Sequence, residues 1–233
     1  LETLQLLQEF EPPVVSFHFG LPAPGHVEAI KAWGARVIST ATTVRESVWL
    51  EQHGVDAVIA QGLEAGGHRG MFLEDDINSQ SGTFALLPQV CHAVSIPVIA
   101  AGGIVNTEST RAAFALGAGA VQAGTVFLLT DECDTTALHR QKLKSTPMGN
   151  TVLTNVFSGR PARGIINRVV SEVGPMSQFA PPFPLAGAAL APLRAVAEKS
   201  GNSDFSPLWS GQNASACRER PAMEVTRELA RLR

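Results

Sequence analysis

Cysteine is scarce in this 233-residue chain, and its pattern argues against two classes of protein. An odd number of widely separated cysteines argues against a disulfide framework, and the lack of a Cys-x-x-Cys pair argues against a structural zinc site. We therefore expect a reducing, cytoplasmic compartment. The cysteines are Cys91, Cys133 and Cys217.

Long apolar runs and a strong net charge are also missing. The longest apolar stretches have about the length of a strand, so we expect no membrane span, and no secretory signal is recognised. A net charge of −3 and a pI near 6.1 give no reason to expect a nucleic acid or an anionic membrane as partner. The chain starts with Leu1 inside a helix-like segment, and we expect the sequence to be incomplete at its amino end.

Metal and nucleophile motifs are lacking as well. No two histidines have the spacing of helical metal ligands beside an acidic cluster, so we predict no metal site. The G-x-S-x-G elbow of serine hydrolases is absent. We expect His18 to be packed or polar at a strand end, and His53 and His92 to be solvated on helices.

Five short apolar segments, rich in Val, Ile or Phe, indicate a parallel sheet. They do not alternate strictly, which is typical of strands buried on both faces. Amphipathic segments between them end in glycine, as helices often do, and one opens with the capping residue Asn106. The predicted strands are residues 13–20, 35–41, 56–62, 97–103 and 120–128, and the predicted helices between them are residues 26–34, 44–54 and 106–117.

The strand–helix rhythm fits an open doubly wound α/β sheet or a TIM (β/α)8 barrel. Polar and glycine-rich residues follow several successive strands, which favours the barrel. The glycines of residues 117–124 have the wrong spacing for a Rossmann fingerprint. After about Thr130 glycine and proline interrupt helical stretches, including predicted helices over residues 190–201 and 221–233. We therefore predict a partial barrel over residues 1–140 and a carboxy-terminal helical cap over residues 141–233.

Two consecutive strand ends carry features of an anion site. Gly102 and Gly103 end the fourth predicted strand, and Gly124 and Thr125 lie in the fifth. Backbone N–H groups exposed by glycine, a hydroxyl and a helix start together bind phosphate well. The alternative is that these glycines only turn the chain.

The segment "QGLEAGGHRG", residues 61–70, follows the third predicted strand and is dense in glycine. Its glycines allow the backbone to approach a planar ligand, and the amide of Gln61 can hydrogen-bond a ring. His68 can act as a base, a donor or an anion binder. The structural alternative has His68 capping the loop while Glu64 and Arg69 pair at the surface.

Three arginines in "SGRPARGIINR" leave two roles open. They can clamp an anionic substrate, or they can tie a loop to the domain. The arginines are Arg160, Arg163 and Arg168.

Taken together, several segments resemble the nitronate monooxygenase family, formerly called 2-nitropropane dioxygenases. The resemblance implies an FMN-dependent TIM barrel in which this chain supplies strands 4 to 8. It places the catalytic histidine on His68, with the FMN phosphate held by Gly103, Gly124 and Thr125. The segments are "QGLEAGGHRG", "PVIAAGGI", "LGAGAVQAGTVFL", "SGRPARG" and "LWSGQ", and the predicted FMN-binding residues are Gln61, Gly66, Gly67, Gly102, Gly103, Gln122, Ala123, Gly124 and Thr125.

The activity that the resemblance implies is oxidation of alkyl nitronates, such as propionate 3-nitronate, by O₂ to a carbonyl compound and nitrite. His68 is then expected to orient the nitronate and offset its charge, or to remove the α-proton of a neutral nitroalkane. Two alternatives stay open: an NAD(P)H-dependent flavin reductase of quinones or enoyl thioesters, and a non-catalytic truncated barrel. The sequence assigns no role to Gln212 and no oligomeric state.

Overall fold

A computed structural model describes residues 2–145 and 150–231 of the chain. Predictions that touch residues 146–149 or 232–233 lie in part outside the described residues. The strands are β1 (Val14–Phe17), β2 (Arg36–Ala41), β3 (Ala57–Gln61), β4 (Gly67–His68), β5 (Val98–Ala101), β6 (Ala120–Gln122), β7 (Thr151–Thr154) and β8 (Ala162–Ile165). The α-helices are α1 (Glu2–Phe10), α2 (Pro24–Ala32), α3 (Val44–Gln52), α4 (Thr83–Ala93), α5 (Thr107–Ala115), α6 (Ala137–Ser145), α7 (Arg168–Val173), α8 (Ala186–Lys199) and α9 (Ala222–Leu229).

The parallel sheet follows the order of the chain. Its strands run β1-β2-β3-β5-β6, and every neighbouring pair is parallel, with Val15 opposite Val37 and Ile59 opposite Ile99. A doubly wound sheet reverses its order at a switch point, whereas a (β/α) barrel adds each strand beside the last. The sequential order therefore confirms the α/β prediction of barrel type.

All five predicted strands are present, but each is shorter than predicted, the last one most of all. The segment 120–128 forms a strand only over Ala120–Gln122, and a 3₁₀ turn over Thr125–Phe127 follows. Apolar residues continue past Gln122, so hydrophobicity alone gave no signal for the end of the strand.

Glycine ends the predicted helices as expected. Gly34, Gly54 and Gly117 have φ values of 91°, 83° and 103°, a region that residues with a Cβ rarely adopt. At the start of α5, the side-chain oxygen of Asn106 accepts a hydrogen bond from the Ser109 N–H at 3.0 Å. The capping role predicted for Asn106 is therefore confirmed.

Helix α4 was not predicted, although it supplies core residues. It contains Pro88, which normally marks a helix end, and it lies in the long interval between the third and fourth predicted strands. Its inward face nevertheless buries Leu86, Leu87 and Val90. Tertiary packing of this apolar face outweighs the cost of the proline.

The chain divides into two compact units. The first comprises Leu1–Leu63, Gly70–Ala101 and Ala112–Gln122 and holds the parallel sheet. The second comprises Glu64–Arg69, Gly102–Arg111 and Ala123–Arg233. The division predicted from the sequence, at residues 140 and 141, stays a prediction.

The second unit contains a small sheet of order β4-β8-β7, with both pairs antiparallel. The sequence predicted only interrupted helical stretches after about Thr130, which was wrong for this sheet, because Thr151–Thr154 and Ala162–Ile165 form strands. Predicted helices near the carboxy end correspond to α8 and α9. One core of this unit consists of Leu129, Leu143, Ile165, Leu208 and Cys217, and another of Val156, Phe157, Val169 and Val170.

Two negative findings apply to the part of the chain that the structure describes. None of its helices is both long and apolar enough to cross a membrane. It also contains no group of three or more His, Cys, Asp or Glu side chains arranged to hold a metal ion.

Candidate active site

Strand β4 carries His68 into the antiparallel sheet of the second unit. Gly67 pairs with Arg163 and His68 with Ala162, and the Arg69 N–H donates to the carbonyl of Pro161 at 2.9 Å. Gly67 has a φ of 73°, which favours glycine at this position. The glycine-rich segment therefore fixes His68 on a short strand rather than on a loose loop.

The His68 imidazole contacts a serine that is 90 positions away in sequence. Its Nε2 lies 2.8 Å from the Oγ of Ser158, a residue that is 9% exposed. The Ser158 hydroxyl also donates to the Arg160 carbonyl at 3.1 Å and accepts from the Arg160 N–H at 3.3 Å. Ser158 therefore joins the imidazole to the backbone of Arg160.

Aromatic rings and one guanidinium complete the surroundings of this imidazole. The centroid of the His68 ring lies 5.8 Å from that of Phe183 and 5.5 Å from that of Trp209. The Arg160 Cζ lies 5.8 Å from the centroid of the Phe183 ring. We refer to His68, Ser158, Arg160, Phe183 and Trp209 as the His68 cluster.

The environment of His68 favours its neutral form. Burial lowers the pKa of His68 below its usual 6.5, and the positive charge of Arg160 lowers it further. Near pH 7 the ring is therefore suited to hydrogen bonding or to accepting a proton. Within the His68 cluster, Arg160 supplies the positive charge that lowers this pKa.

The three arginines of the "SGRPARGIINR" segment have separate structural positions. Arg163 is 4% exposed, and its Nη1 contacts the carbonyl and hydroxyl oxygens of Thr151 at 3.4 and 3.3 Å. Arg168 is exposed, and its Nε forms an ion pair with Glu172 at 2.8 Å. Of the three, Arg163 ties β8 to β7, Arg168 pairs at the surface, and Arg160 belongs to the His68 cluster.

Arg69 contradicts one structural alternative for the "QGLEAGGHRG" segment. A surface pair between Glu64 and Arg69 requires both side chains to be accessible, but Arg69 is fully buried. That alternative was therefore wrong for Arg69. Its neighbours Gly66 and His68 are partly accessible, as a site for a small molecule requires.

The segment 211–213 joins three glycine-bearing loops of the second unit. The Gly211 N–H donates to the Thr125 Oγ1 at 2.9 Å, and the Gln212 N–H donates to the carbonyl of Glu64 at 2.9 Å. The Asn213 side-chain amide donates to the carbonyl of Gly103 at 3.2 Å. This segment therefore holds the loops that carry Gly66, Gly103 and Thr125.

Two glycines are required by close approach in this region. A Cβ on Gly66 would lie 2.5 Å from the Gly211 nitrogen, and a Cβ on Gly211 would lie 2.8 Å from the Glu64 carbonyl oxygen. Real Cβ atoms do not approach backbone atoms this closely. Both positions therefore exclude every residue larger than glycine without movement of the loops.

The other predicted FMN-binding residues are divided between the two units. Gln61 ends β3 in the first unit, is 7% exposed, and accepts through Oε1 from the Gly70 N–H at 2.8 Å. Gln122 ends β6 in the same unit and is exposed. The remaining predicted residues lie in the second unit: Gly66, Gly67, Gly102, Gly103, Ala123, Gly124 and Thr125.

Several residues of the second unit were not predicted for the site. Ser158, Phe183, Trp209 and Asn213 contact either His68 or the Gly103 loop. The motifs "SGRPARG" and "LWSGQ" contain Ser158 and Trp209, so their resemblance to the family was the available signal. Phe183 and Asn213 carry no comparable sequence signal.

Comparison with known proteins places this chain in a family. The family model for nitronate monooxygenase matches residues 2–231. The chain belongs to the nitronate monooxygenase family. It is 44% identical over 227 residues to nitronate monooxygenase of Pseudomonas aeruginosa, covering 97% of this chain and 65% of that protein. It is 38% identical over 218 residues to a probable nitronate monooxygenase of Bacillus subtilis, covering 94% and 63%.

Solved structures agree with the family and with the barrel-type fold. The nitroalkane oxidase of Streptomyces ansochromogenes superposes with a TM-score of 0.89 at 40% identity, covering 97% of this chain and 65% of that one. FabK of Thermotoga maritima superposes with a TM-score of 0.77 at 32% identity, covering 97% and 69%. The chain thus spans less than two thirds of the length of the two curated nitronate monooxygenases described above. The nitronate monooxygenase family is associated with flavin.

Proposed function

We propose that this chain carries the substrate-facing histidine of an FMN-dependent nitronate monooxygenase, which oxidises alkyl nitronates with O₂ to a carbonyl compound and nitrite. The main support is the His68 cluster, in which one neutral imidazole is fixed by Ser158 and flanked by aromatic rings. Membership of the nitronate monooxygenase family gives this arrangement its chemical context.

The loops of the second unit fit the phosphate end of FMN. Gly102 and Gly103 have φ values of 115° and 74°, and a Cβ on Gly124 would meet no heavy atom within 4 Å. Among the described residues, no acceptor is bonded to the amide N–H groups of Gly103, Gly124 or Thr125. Such backbone donors in glycine loops suit a phosphate. Gln61 and Gln122 stay predicted FMN ligands.

In this proposal the protein residues bind and orient the substrate. FMN, when bound, would accept electrons from the nitronate, with O₂ as the final oxidant. Trp209 and Phe183 would limit access of water to the imidazole. His68 would orient the nitronate, or it would accept the α-proton of a neutral nitroalkane and then, as an imidazolium, donate a hydrogen bond to a nitronate oxygen.

The predicted histidine role separates two kinds of substrate. A nitroalkane must lose its α-proton, whereas a preformed nitronate has already lost it. In a His68→Asn variant we expect kcat/KM for nitroalkanes to fall by roughly 10²- to 10⁴-fold, and that for nitronates to fall much less. A His92→Asn variant is the matched control, because His92 is exposed on α4.

The experiment starts with the purified chain and added FMN. Flavin absorbance near 450 nm measures binding, and anaerobic addition of propionate 3-nitronate followed by O₂ and a nitrite assay measures turnover. Bound flavin that reacts with nitronate supports the proposal. A chain that stays colourless after FMN addition supports the non-catalytic alternative instead.

The similarity to FabK keeps the flavin reductase alternative as a second candidate. FabK superposes less closely than the nitroalkane oxidase, with TM-scores of 0.77 and 0.89. Anaerobic NADH separates the two, because a reductase would bleach the bound flavin with NADH alone. Bleaching by nitronate and not by NADH would favour nitronate oxidation.

A further inference from the structure

We propose that Arg160 is the residue that binds the anionic group of the nitronate substrate. This inference rests on the proposed function and adds the residue that recognises the charge of the substrate. The sequence left three arginines with two possible roles each. The structure separates those roles and leaves one arginine beside the imidazole.

The position of Arg160 carries this inference. Its backbone is held to the Ser158 Oγ, which also contacts His68 Nε2 at 2.8 Å. Its guanidinium carbon and the His68 ring both lie 5.8 Å from the centroid of the Phe183 ring. Arg160 and His68 are thus positioned by the same serine and face the same aromatic ring.

The two other arginines of the segment make different contacts. Arg163 is buried against Thr151 of β7, and Arg168 pairs with Glu172 on the surface of α7. Arg160, by contrast, is close enough for its charge to affect the imidazole, whose pKa it lowers.

The chemistry of a guanidinium matches that of a nitronate. A nitronate has two oxygens in one plane that share a negative charge, and a guanidinium presents parallel N–H donors in one plane. The neutral form of His68 leaves the anion's charge to be balanced by another group. Because the arginine lies near an aromatic ring and is partly buried, its charge is screened less than that of an exposed residue.

Steady-state kinetics with paired substrates tests this assignment. In Arg160→Gln we expect KM for a preformed nitronate to rise roughly tenfold to a hundredfold, because a charged hydrogen bond is lost. KM for the corresponding neutral nitroalkane should change little, and Arg160→Lys should recover part of the nitronate affinity. Arg168→Gln, which alters the surface pair with Glu172 and the contact with the Phe205 ring, should match the parent chain. Equal KM values for nitronate in the parent chain and Arg160→Gln would overturn the assignment.

A binding measurement separates this inference from the proposed function. Nitrate is a planar oxyanion that needs no turnover, and NMR of the His68 ring reports its binding. We expect nitrate to shift the His68 resonances in the parent chain and in Arg168→Gln, but not in Arg160→Gln. We also expect the pKa of His68 to be higher in Arg160→Gln, because a neighbouring positive charge is removed.

The outcomes of the two tests are distinct. A parent chain that binds nitrate through Arg160 but oxidises no nitronate would support the anion site and contradict the proposed function. Nitronate oxidation with the same KM in the parent chain and in Arg160→Gln would contradict the anion site alone. Nitronate oxidation by a parent chain whose His68 resonances do not shift with nitrate would have the same meaning.

Discussion

The Nε2 atom of His68 lies 2.8 Å from the hydroxyl oxygen of Ser158, and the tautomer of the imidazole decides which of the two atoms donates. The Ser158 hydroxyl has one hydrogen, and we infer that it donates this hydrogen to the Arg160 carbonyl at 3.1 Å, because that oxygen can only accept. The Oγ must then accept from His68, so Nε2 carries the proton. Nδ1 is the unprotonated nitrogen of the neutral ring.

Removing the Ser158 hydroxyl should therefore disturb the tautomer without removing the histidine. In Ser158→Ala we expect the fraction of the Nε2–H tautomer to fall, which ¹⁵N chemical shifts of the ring measure directly. We expect kcat for neutral nitroalkanes to fall, because the ring loses the contact that orients it and fewer molecules present an unprotonated Nδ1. Ser158→Thr keeps a hydroxyl and should restore both values. An unchanged tautomer in Ser158→Ala would contradict this role.

Stability should fall in mild acid because of His68. Burial and Arg160 lower the pKa of the folded chain's His68, so the unfolded chain binds more protons between that pKa and about 6.5. The free energy of unfolding should therefore decrease as pH falls below about 6.5 and level off below the folded pKa. Urea titrations between pH 5 and 8 measure this slope.

A His68→Asn variant should flatten that slope only in part. Burial also lowers the pKa of His139, against an opposing contact with the Trp209 backbone, so a second histidine contributes in the same direction. The double variant with His139→Asn should be flatter than either single variant. A slope that is the same in all four chains would rule out both histidines as its origin.

The loops held by the segment 211–213 should control FMN affinity. Gly211→Ala places a methyl group 2.8 Å from the Glu64 carbonyl oxygen, and Asn213→Asp replaces the donor to the Gly103 carbonyl with a carboxylate. We expect either change to raise the Kd for FMN by about tenfold or more. Gly25→Ala is the control, since a Cβ there meets no atom within 4 Å. Flavin fluorescence titration of each variant measures the Kd, and equal values would show that this segment does not position the cofactor loops.

Glu46 should be a major stabilising residue of the first unit. It is fully buried, and its carboxylate accepts hydrogen bonds from the N–H and hydroxyl of Thr42, both at 2.7 Å, and from the N–H groups of Phe72 and Leu73 at 2.6 and 3.2 Å. Glu46→Gln puts an amide donor where only acceptors fit, so we expect it to cost about 1–3 kcal/mol. Urea unfolding of Glu46→Gln and of the exposed control Glu28→Gln makes the comparison. A loss of unfolding free energy no larger than that of Glu28→Gln would mean that the hydrogen bonds of Glu46 do not stabilise the fold.

Cys217 should resist alkylation in the folded chain. Burial raises its pKa to about 11, partly offset by Arg218 and Arg220, and its Sγ contacts the Thr125 carbonyl at 3.2 Å. At pH 8 roughly a thousandth of this thiol is ionised, and the thiolate is the reactive form. Iodoacetamide followed by peptide mass spectrometry should modify Cys217 only after urea is added. Modification at equal rates with and without urea would contradict the burial.

The parallel sheet could be predicted because its signals are local. Runs such as residues 56–62 have the composition of buried strands, and Gly34 and Gly54 mark helix ends through their backbone conformation. Helix α4 could not be found in this way, since Pro88 gives a local signal that tertiary packing overrides. The antiparallel sheet was also missed, because β4 has two residues and exists only by pairing with β8, far along the chain.

The candidate site was predictable in part for the same reason. His68 stands out through its glycine neighbours, and the family resemblance marks the loops at Gly103 and Thr125. The partner residues Ser158 and Phe183 are defined by contacts over long sequence separations, which no local pattern encodes. The exclusion of large residues at Gly211 is likewise a property of the folded backbone.

The separation between His68 and its partners has a consequence for biosynthesis. A ribosome synthesises the segments that form the parallel sheet, which ends at Gln122, before it synthesises Ser158 or Trp209. Chains grow at about 5–20 residues per second, so several seconds pass between the synthesis of His68 and that of Ser158. Throughout that interval the nascent polypeptide contains the His68 imidazole but not the serine whose hydroxyl contacts its Nε2.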